Sequence, residues 1–180
     1  MLNPTSNISY IDAVKHGIRC EPLAVSLLQN KFPQAKIQEC GLSVHPRHPF
    51  LAASPDRLIS FPSGKIYVVE VKCPFSAFQQ QISHETVDYL ELESGNLQLK
   101  KSHQYYYQIQ GQLACCQMLE AILVIYTGDI KVIKISRDDK FVESMISKLV
   151  SFYNGYFKAA FLKKFLFKNT PVSYLQQYVL

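Results

Sequence analysis

Apolar and polar positions along the chain predict helices and strands in mixed order. The pattern predicts a loop or the lining of an entrance over the polar residues 76–102. Helices on both sides of a mixed sheet form an α/β fold, which is therefore the expected class. Two helices are predicted over about residues 9–30 and 103–118, and a third, long helix begins at about 138. Strands are predicted over about 36–44, 50–61, 65–73, 121–126 and 130–135.

The segment between Asp56 and Glu70 predicts a β-hairpin. Residues 62–64, Pro-Ser-Gly, have the composition of a short turn between two strand-like runs. If these three residues form the loop, Phe61 pairs with Lys65. Counting outward then places Asp56 opposite Glu70, with Cβ atoms about 4.5 to 5.5 Å apart. A register shifted by one residue is the open alternative.

Two acids and a lysine lie at the end of this hairpin. Strand alternation places Lys72 on the same face as Glu70 and directs Val71 into the core. Carboxylates in an interior are costly unless a cation lies between them, and Mg²⁺ is commonly held by one or two carboxylates plus substrate phosphate. The pattern therefore predicts a metal-dependent hydrolytic site in which Asp56 and Glu70 bind metal and Lys72 positions the attacking water.

The alternative is a surface hairpin with ordinary ion pairs, each worth about 0 to 1 kcal/mol. Residues 66–69, Ile-Tyr-Val-Val, are almost continuously apolar, which is typical of a strand covered on both faces. Charged groups at the end of such a strand favour the hydrolytic site over the surface hairpin.

Three blocks of the chain then match a known family, with 41–44 and 51–58 forming the first, 70–74 the second and 105–113 the third. In this order they resemble the YqaJ-like viral recombinase domain, which belongs with phage lambda exonuclease and the herpesvirus alkaline nucleases in the PD-(D/E)XK superfamily. The resemblance covers about residues 15–136. It implies a restriction-endonuclease-like core, with a mixed central β-sheet flanked by helices.

The resemblance also implies a metal cofactor and two further metal ligands, one a backbone carbonyl and the other an acid. The cofactor is Mg²⁺, with Mn²⁺ as an alternative, and the backbone carbonyl of Val71 assists in holding it. The segment around Glu21 resembles the family's Gly-x-x-x-Glu helix, which makes Glu21 the third acid, acting through a bound water. Pro22 predicts that this helix begins near Glu21 or kinks there. An acid favoured near a helix N-terminus is the alternative explanation of Glu21.

Gln108 completes the implied site. It matches the family's glutamine on the helix after the core hairpin, beside the metal and the substrate phosphate. Gln104, Gln108 and Gln112 recur every four residues, so they form one polar stripe on a helix. A solvated amide face is the alternative explanation of that stripe.

The function implied by the family is Mg²⁺-dependent 5′-to-3′ exonuclease action on double-stranded DNA, in recombination or DNA processing. The implied partners are linear DNA ends, further copies of the chain and a single-strand-annealing protein. Family members usually carry an additional N-terminal segment that grips the terminal phosphate, and few residues precede Gly17 here. A fragment, a structure-specific endonuclease, a DNA/RNA nuclease with the same site and a catalytically idle nucleic-acid-binding module stay open as alternatives.

Composition sets looser bounds. With 180 residues, 48% hydrophobic and 18% charged, the chain is expected to form one domain over 1–180, with its core at about 15–136 and a helical segment at about 138–180. No signal peptide or membrane-spanning run is visible, which predicts a soluble intracellular protein, nuclear or cytoplasmic depending on the source. The five cysteines include no Cys-x-x-Cys and lack the pattern of an iron–sulfur cluster.

Charge is concentrated in the last third of the chain. Residues 1–128 contain ten basic and ten acidic side chains, whereas residues 129–180 contain nine basic and four acidic ones, which accounts for the net charge of +5. An aromatic core face beside a solvated lysine face is one explanation, and contact with DNA phosphates is the other. The residues concerned form a predicted amphipathic helix: Phe157, Lys158, Phe161, Lys163, Lys164, Phe165, Phe167 and Lys168.

Overall fold

The computed structural model describes residues 11–165 and contains nine strands and four α-helices over that range. A 3₁₀ turn at Phe75–Ala77 follows β5, and a π-helical turn at Tyr153–Phe157 joins the last two helices. The elements are α1 (Asp12–Lys31), β1 (Lys36–Glu39), β2 (Ser43–Val44), β3 (Ala52–Ala53), β4 (Arg57–Ser60), β5 (Ile66–Lys72), β6 (Leu90–Glu93), β7 (Asn96–Leu99), α2 (Gln104–Cys115), β8 (Glu120–Tyr126), β9 (Ile130–Ser136), α3 (Asp139–Phe152) and α4 (Lys158–Phe165).

A five-stranded mixed sheet is the centre of the fold. Its strand order is β1-β4-β5-β8-β9, and β5 and β8 pair in parallel while the other neighbours pair antiparallel. The two parallel strands lie in the middle, where β5 and β8 are buried along almost their whole length. Parallel strands need a long crossover connection, and the chain from the end of β5 to the start of β8 supplies one that contains α2. The predicted mixed sheet is confirmed.

Helix α1 covers one face of this sheet. Its buried side chains recur every four residues and pack against alternate residues of β5 and β8. The shared core contains Cys20, Ala24, Leu28, Ile59, Tyr67, Val69, Val71, Ile122, Val124 and Tyr126, so the prediction that Val71 points into the core is confirmed.

Helix α1 begins at Asp12 and continues through Pro22. The predicted helix over about 9–30 is therefore confirmed within the described residues, and a helix that begins near Glu21 is wrong, as is the alternative that explained Glu21 by a helix N-terminus. A kink at Pro22 stays a prediction. Proline has no N–H to donate to the carbonyl four residues earlier, which belongs to Ile18. Ile18 is exposed, so the position that loses its hydrogen bond lies on the solvent side of the helix. In the described part of the chain, no helix has an apolar stretch long enough to cross a membrane.

Helix α2 lies on the opposite face of the sheet. Strand alternation turns Val68 and Glu70 away from α1. Glu70 is hydrogen-bonded to Gln108 and Gln112 of α2. The helix is capped by His103, whose Nδ1 accepts the N–H of residue 105, and it ends at Cys115. The predicted helix over 103–118 is confirmed with slightly shorter bounds.

Residues 90–99 differ from the predicted irregular stretch, because they form a hairpin of β6 and β7. Ser94 and Gly95 connect the strands with φ of 49° and 78°, which suits a tight two-residue hairpin turn. Leu90 and Leu99 pair and are buried, while Leu92 is exposed. Four-residue strands with so little buried apolar surface give a weak alternating pattern, which explains the missed hairpin.

The described residues form two compact units, and the boundary between the units lies directly after Asp138. The second unit contains α3, the π-helical turn and α4. Within it Phe161 is 43% exposed and Phe157 is half-buried. Four parts of the predictions lie outside the described residues: the beginning of the first helix, the end of the last helix, Phe167 and Lys168. The single domain over 1–180 stays a prediction.

Candidate active site

The hairpin between β4 and β5 has the predicted register. The N–H of Phe61 donates to the carbonyl oxygen of Lys65 at 2.9 Å, which closes the predicted three-residue loop. Gly64 in this loop has a φ of 81°, a left-handed conformation that glycine adopts without strain. A short loop with a required glycine fixes the pairing of both strands.

This register brings Asp56 to Glu70. Arg57 pairs with Val69, so extending the ladder by one residue places Asp56 opposite Glu70, as predicted. The Oδ2 atom of Asp56 accepts the backbone N–H of Val71 at 2.7 Å, which fixes the carboxylate at the end of β5. The two acids therefore lie on one side of the hairpin end.

Glu70 is a buried acid, with 2% of its surface exposed. Its Oε1 accepts hydrogen bonds from Lys72 Nζ and Gln108 Nε2, both at 2.6 Å. Its Oε2 accepts one from Gln112 Nε2 at 2.6 Å. Burial raises the pKa of Glu70 above its ordinary value; the Lys72 ammonium and the Gln112 amide oppose this, while the charge of Asp56 adds to it. A buried acid with a raised pKa and a specific cationic partner is typical of functional sites.

Lys72 is held on three sides. Its Nζ donates to Glu70 and to Gln108 Oε1, the latter at 3.1 Å. The same nitrogen lies over the ring of Tyr105, 4.3 Å from the ring centroid. Tyr105 is itself fixed by edge contacts with Tyr89 and His103, at centroid distances of 5.0 and 4.7 Å. The lysine is thus a preorganised cation, with 17% of its side chain exposed.

The glutamine stripe of α2 divides between water and the site. Gln104 is exposed, whereas Gln108 and Gln112 both donate to Glu70. The solvated amide face is therefore wrong for Gln112, which is buried, whereas Gln108 is exposed and also bonds Glu70. Gln112 is a site residue that sequence reasoning missed. The sequence feature that could have identified it is the four-residue spacing from Gln108, which brings both amides to the same side of the helix.

Glu21 lies at the edge of this arrangement. Its Oε1 is 3.2 Å from a guanidinium nitrogen of Arg57, which extends from β4 beside it. Burial raises the pKa of the neighbouring Cys73 thiol to about 12, with smaller contributions from the charges of Glu21 and Asp56. Among the described residues, the ion-pair partner of Glu21 is Arg57. Its role as third acid stays a prediction.

Asp56 and Glu70 are the carboxylates best placed to hold a metal ion. Among residues 11–165, no group of three or more His, Cys, Asp or Glu side chains is arranged to bind one. Two carboxylates are enough for Mg²⁺, which retains several waters and takes substrate phosphate as a further ligand. The contribution of the Val71 carbonyl stays a prediction.

Two solved structures of an exonuclease have a similar fold. The chain is similar to an alkaline exonuclease, LHK-Exo, from Laribacter hongkongensis, with a TM-score of 0.64 and 24% identity over 93% of this chain and 74% of that one. It is similarly related to LHK-Exo in complex with dAMP, with a TM-score of 0.64 and 25% identity over 90% and 75% of the two chains. The predicted restriction-endonuclease-like α/β fold is confirmed.

A search of curated proteins found no match. A family model described as the YqaJ-like viral recombinase domain matches residues 3–119, which is most of the chain and includes the candidate site. This match confirms the predicted family, and together with the exonuclease neighbours it supports a nuclease as the class of enzyme. The chain therefore belongs to the family of YqaJ-like viral recombinase domains.

Proposed function

We propose that this protein is a Mg²⁺-dependent deoxyribonuclease that degrades double-stranded DNA from a 5′ end. The observation that carries the proposal is the cluster at the end of β5, where Glu70 is buried against Lys72 and two glutamine amides while Asp56 lies opposite. A fold built only for stability rarely buries an acid at such an edge, because the charged form loses its hydration there.

The donor set fits a hard divalent cation. Asp56 uses Oδ2 for the Val71 amide, and Oδ1 has no hydrogen-bond partner among the described residues. Glu70 Oε2 accepts a single hydrogen bond, so an oxygen lone pair is left on each acid. Carboxylate oxygens are the ligands that Mg²⁺ and Mn²⁺ prefer. Asp56 and Glu70 would hold the ion, which when bound lowers the pKa of coordinated water and neutralises charge on phosphate oxygens.

The surrounding residues supply orientation and charge. Lys72 is a fixed cation between Glu70 and Gln108, and it stabilises the negative charge that develops on the phosphoryl oxygens. Gln108 contacts both Glu70 and Lys72, so it keeps the acid and the cation at a fixed separation. Tyr105 limits the motion of the Lys72 ammonium from the other side. Glu21 supports the site from α1 through a bound water.

The similar proteins support the proposed substrate, while the proposed 5′-to-3′ polarity is what the family resemblance implies. LHK-Exo is an alkaline exonuclease, and one of its structures contains dAMP, a deoxyribonucleotide. Membership of a viral recombinase family favours DNA ends as the substrate in recombination. Further copies of the chain and a single-strand-annealing protein are the proposed partners.

The test uses purified protein, MgCl₂ and linear duplex DNA labelled at the 5′ or the 3′ end of one strand. We expect the 5′ label to be released early as mononucleotides and the 3′ label to persist until late. Lys72→Ala is the matched variant, since it removes the cation and one hydrogen bond of Glu70 while both carboxylates stay in the chain.

Closed circular DNA is the control for end dependence. The proposal requires that circular DNA remain intact while linear DNA is degraded. Equal cleavage of both forms would identify an endonuclease. DNA binding without any cleavage in MgCl₂ or MnCl₂ would identify an idle binding module.

A further inference from the structure

We infer that Gln112 is a positioning residue for the nuclease reaction, which it serves by fixing the Glu70 carboxylate. The inference rests on the proposed function and extends it to a side chain that never meets the substrate. Gln112 is 2% exposed, so its action passes through Glu70 alone.

The two oxygens of Glu70 are held by different partners. Lys72 and Gln108 both donate to Oε1, whereas Gln112 is the described residue that donates to Oε2. Without Gln112, the carboxylate would be restrained at one oxygen and free to rotate about its terminal torsion, which is a broad and soft one. Gln112 therefore fixes the plane of the carboxylate, and with it the direction of the remaining lone pair on Oε2.

The other end of the Gln112 amide indicates that this contact is maintained at a cost. Its Oε1 is buried and has no hydrogen-bond partner among the described residues. An orphaned buried acceptor costs about 1 to 3 kcal/mol, and such a group in a native fold requires an explanation. A role in orienting a metal-binding acid explains why an amide occupies a position where an apolar side chain would avoid the cost.

Gln110 provides an internal comparison two residues away. It is also fully buried, but its Nε2 donates to the Ser136 carbonyl and its Oε1 accepts the N–H of Asp138. Both of its polar ends are satisfied by backbone, so its role is to anchor α2 to the end of β9. On the same helix, Gln110 is thus a structural amide and Gln112 is a positioning one.

The experiment compares Gln112→Met with Gln110→Met, since methionine keeps the length and loses the amide. Binding of MnCl₂ to metal-free protein is measured by calorimetry, and kcat and KM are measured on linear duplex DNA. For Gln112→Met we expect Mn²⁺ affinity to fall about 10- to 100-fold, as for other residues that hydrogen-bond a metal ligand. We expect kcat to fall while KM for DNA is unchanged, because Gln112 is buried away from the substrate.

Gln110→Met should lower the melting temperature and leave Mn²⁺ affinity near wild type. If Gln112→Met does not fold, Gln112→Asn retains the amide and withdraws it from Glu70, and the same loss of affinity is expected. Equal losses of affinity in the Gln110 and Gln112 variants, or wild-type affinity and kcat in Gln112→Met, would overturn the inference. A wild-type protein that neither binds Mn²⁺ nor cleaves DNA would instead overturn the proposed function.

Discussion

The carboxylate of Asp56 accepts a hydrogen bond from the backbone N–H of Val71 at 2.7 Å, so this acid is held against the strand that carries Glu70. Asparagine can accept the same hydrogen bond but is a poor metal ligand, whereas alanine can do neither. We expect Asp56→Asn to lose on the order of 10²-fold or more in rate, because several kcal/mol of transition-state stabilisation depend on the metal.

The thermal stabilities of Asp56→Asn and Asp56→Ala should then separate the two roles of this residue. The alanine variant is expected to be less stable than the asparagine variant by about 1 kcal/mol, the usual worth of one hydrogen bond. In a chain of this size that lowers the melting temperature by roughly 2 to 4 °C. Identical melting curves would show that the Val71 contact does not restrain Asp56 in solution.

Glu70→Gln should inactivate the enzyme and stabilise the metal-free fold. Burial raises the pKa of Glu70 in the folded state, so the folded protein binds its proton more tightly than the unfolded chain does. Stability contributed by the protonated acid is present below the ordinary glutamate pKa of 4.5 and is lost as pH rises toward the raised value. Glutamine remains neutral, and its NH₂ group has a ready acceptor in Gln112 Oε1 if that amide turns over.

Melting temperatures measured in EDTA between pH 4 and pH 8 check this prediction. The Glu70→Gln variant should gain over wild type as pH rises, with the smallest difference at pH 4. A difference that is constant over this range would mean that Glu70 titrates alike in the folded and unfolded chain. Glu143→Gln, which removes the charge of an exposed acid outside the site, serves as a charge control.

Tyr105 is expected to act through its ring. Tyr105→Phe retains an aromatic face under the Lys72 ammonium, whereas Tyr105→Leu removes it. A cation–π contact is worth about 0.5 to 2 kcal/mol, so kcat should fall between about twofold and thirtyfold in the leucine variant and little in the phenylalanine variant. Equal losses in both would assign the role to the phenolic hydroxyl instead.

Glu21→Gln tests the third acid. The pair of Glu21 with Arg57 is partly exposed, and such ion pairs contribute about 0 to 1 kcal/mol, so the melting temperature should hardly change. An acid that acts through a bound water is expected to cost less activity than a direct ligand, so the loss of kcat should be smaller than in Asp56→Asn. A loss as large as that of Asp56→Asn would mean that Glu21 leaves Arg57 and binds the metal directly.

The hairpin and its register were predictable because they depend on local sequence. Three turn residues fix which residues of β4 and β5 face each other, and alternation then places Lys72 with Glu70. The apolar strands of the sheet centre were predictable for a similar reason, since burial on both faces leaves a continuous apolar run.

Contacts across the fold were harder to predict. A polar residue at every fourth position of a helix looks the same whether it meets water or a buried acid, which is why Gln112 was missed. Arg57 follows Asp56 directly, so alternation turns it to the other face, but the sequence does not say that α1 brings Glu21 there. Such pairs are decided by tertiary packing.

The spacing of the Glu70 contacts along the chain has a consequence for the order of folding. Asp56 and Val71 are 15 residues apart, whereas Glu70 is 38 and 42 residues from Gln108 and Gln112. Closing a longer loop costs more chain entropy, so we expect the hairpin to form while the carboxylate of Glu70 is still hydrated. The acid loses its water only when α2 packs on the sheet, and the same helix brings the amides that replace that water.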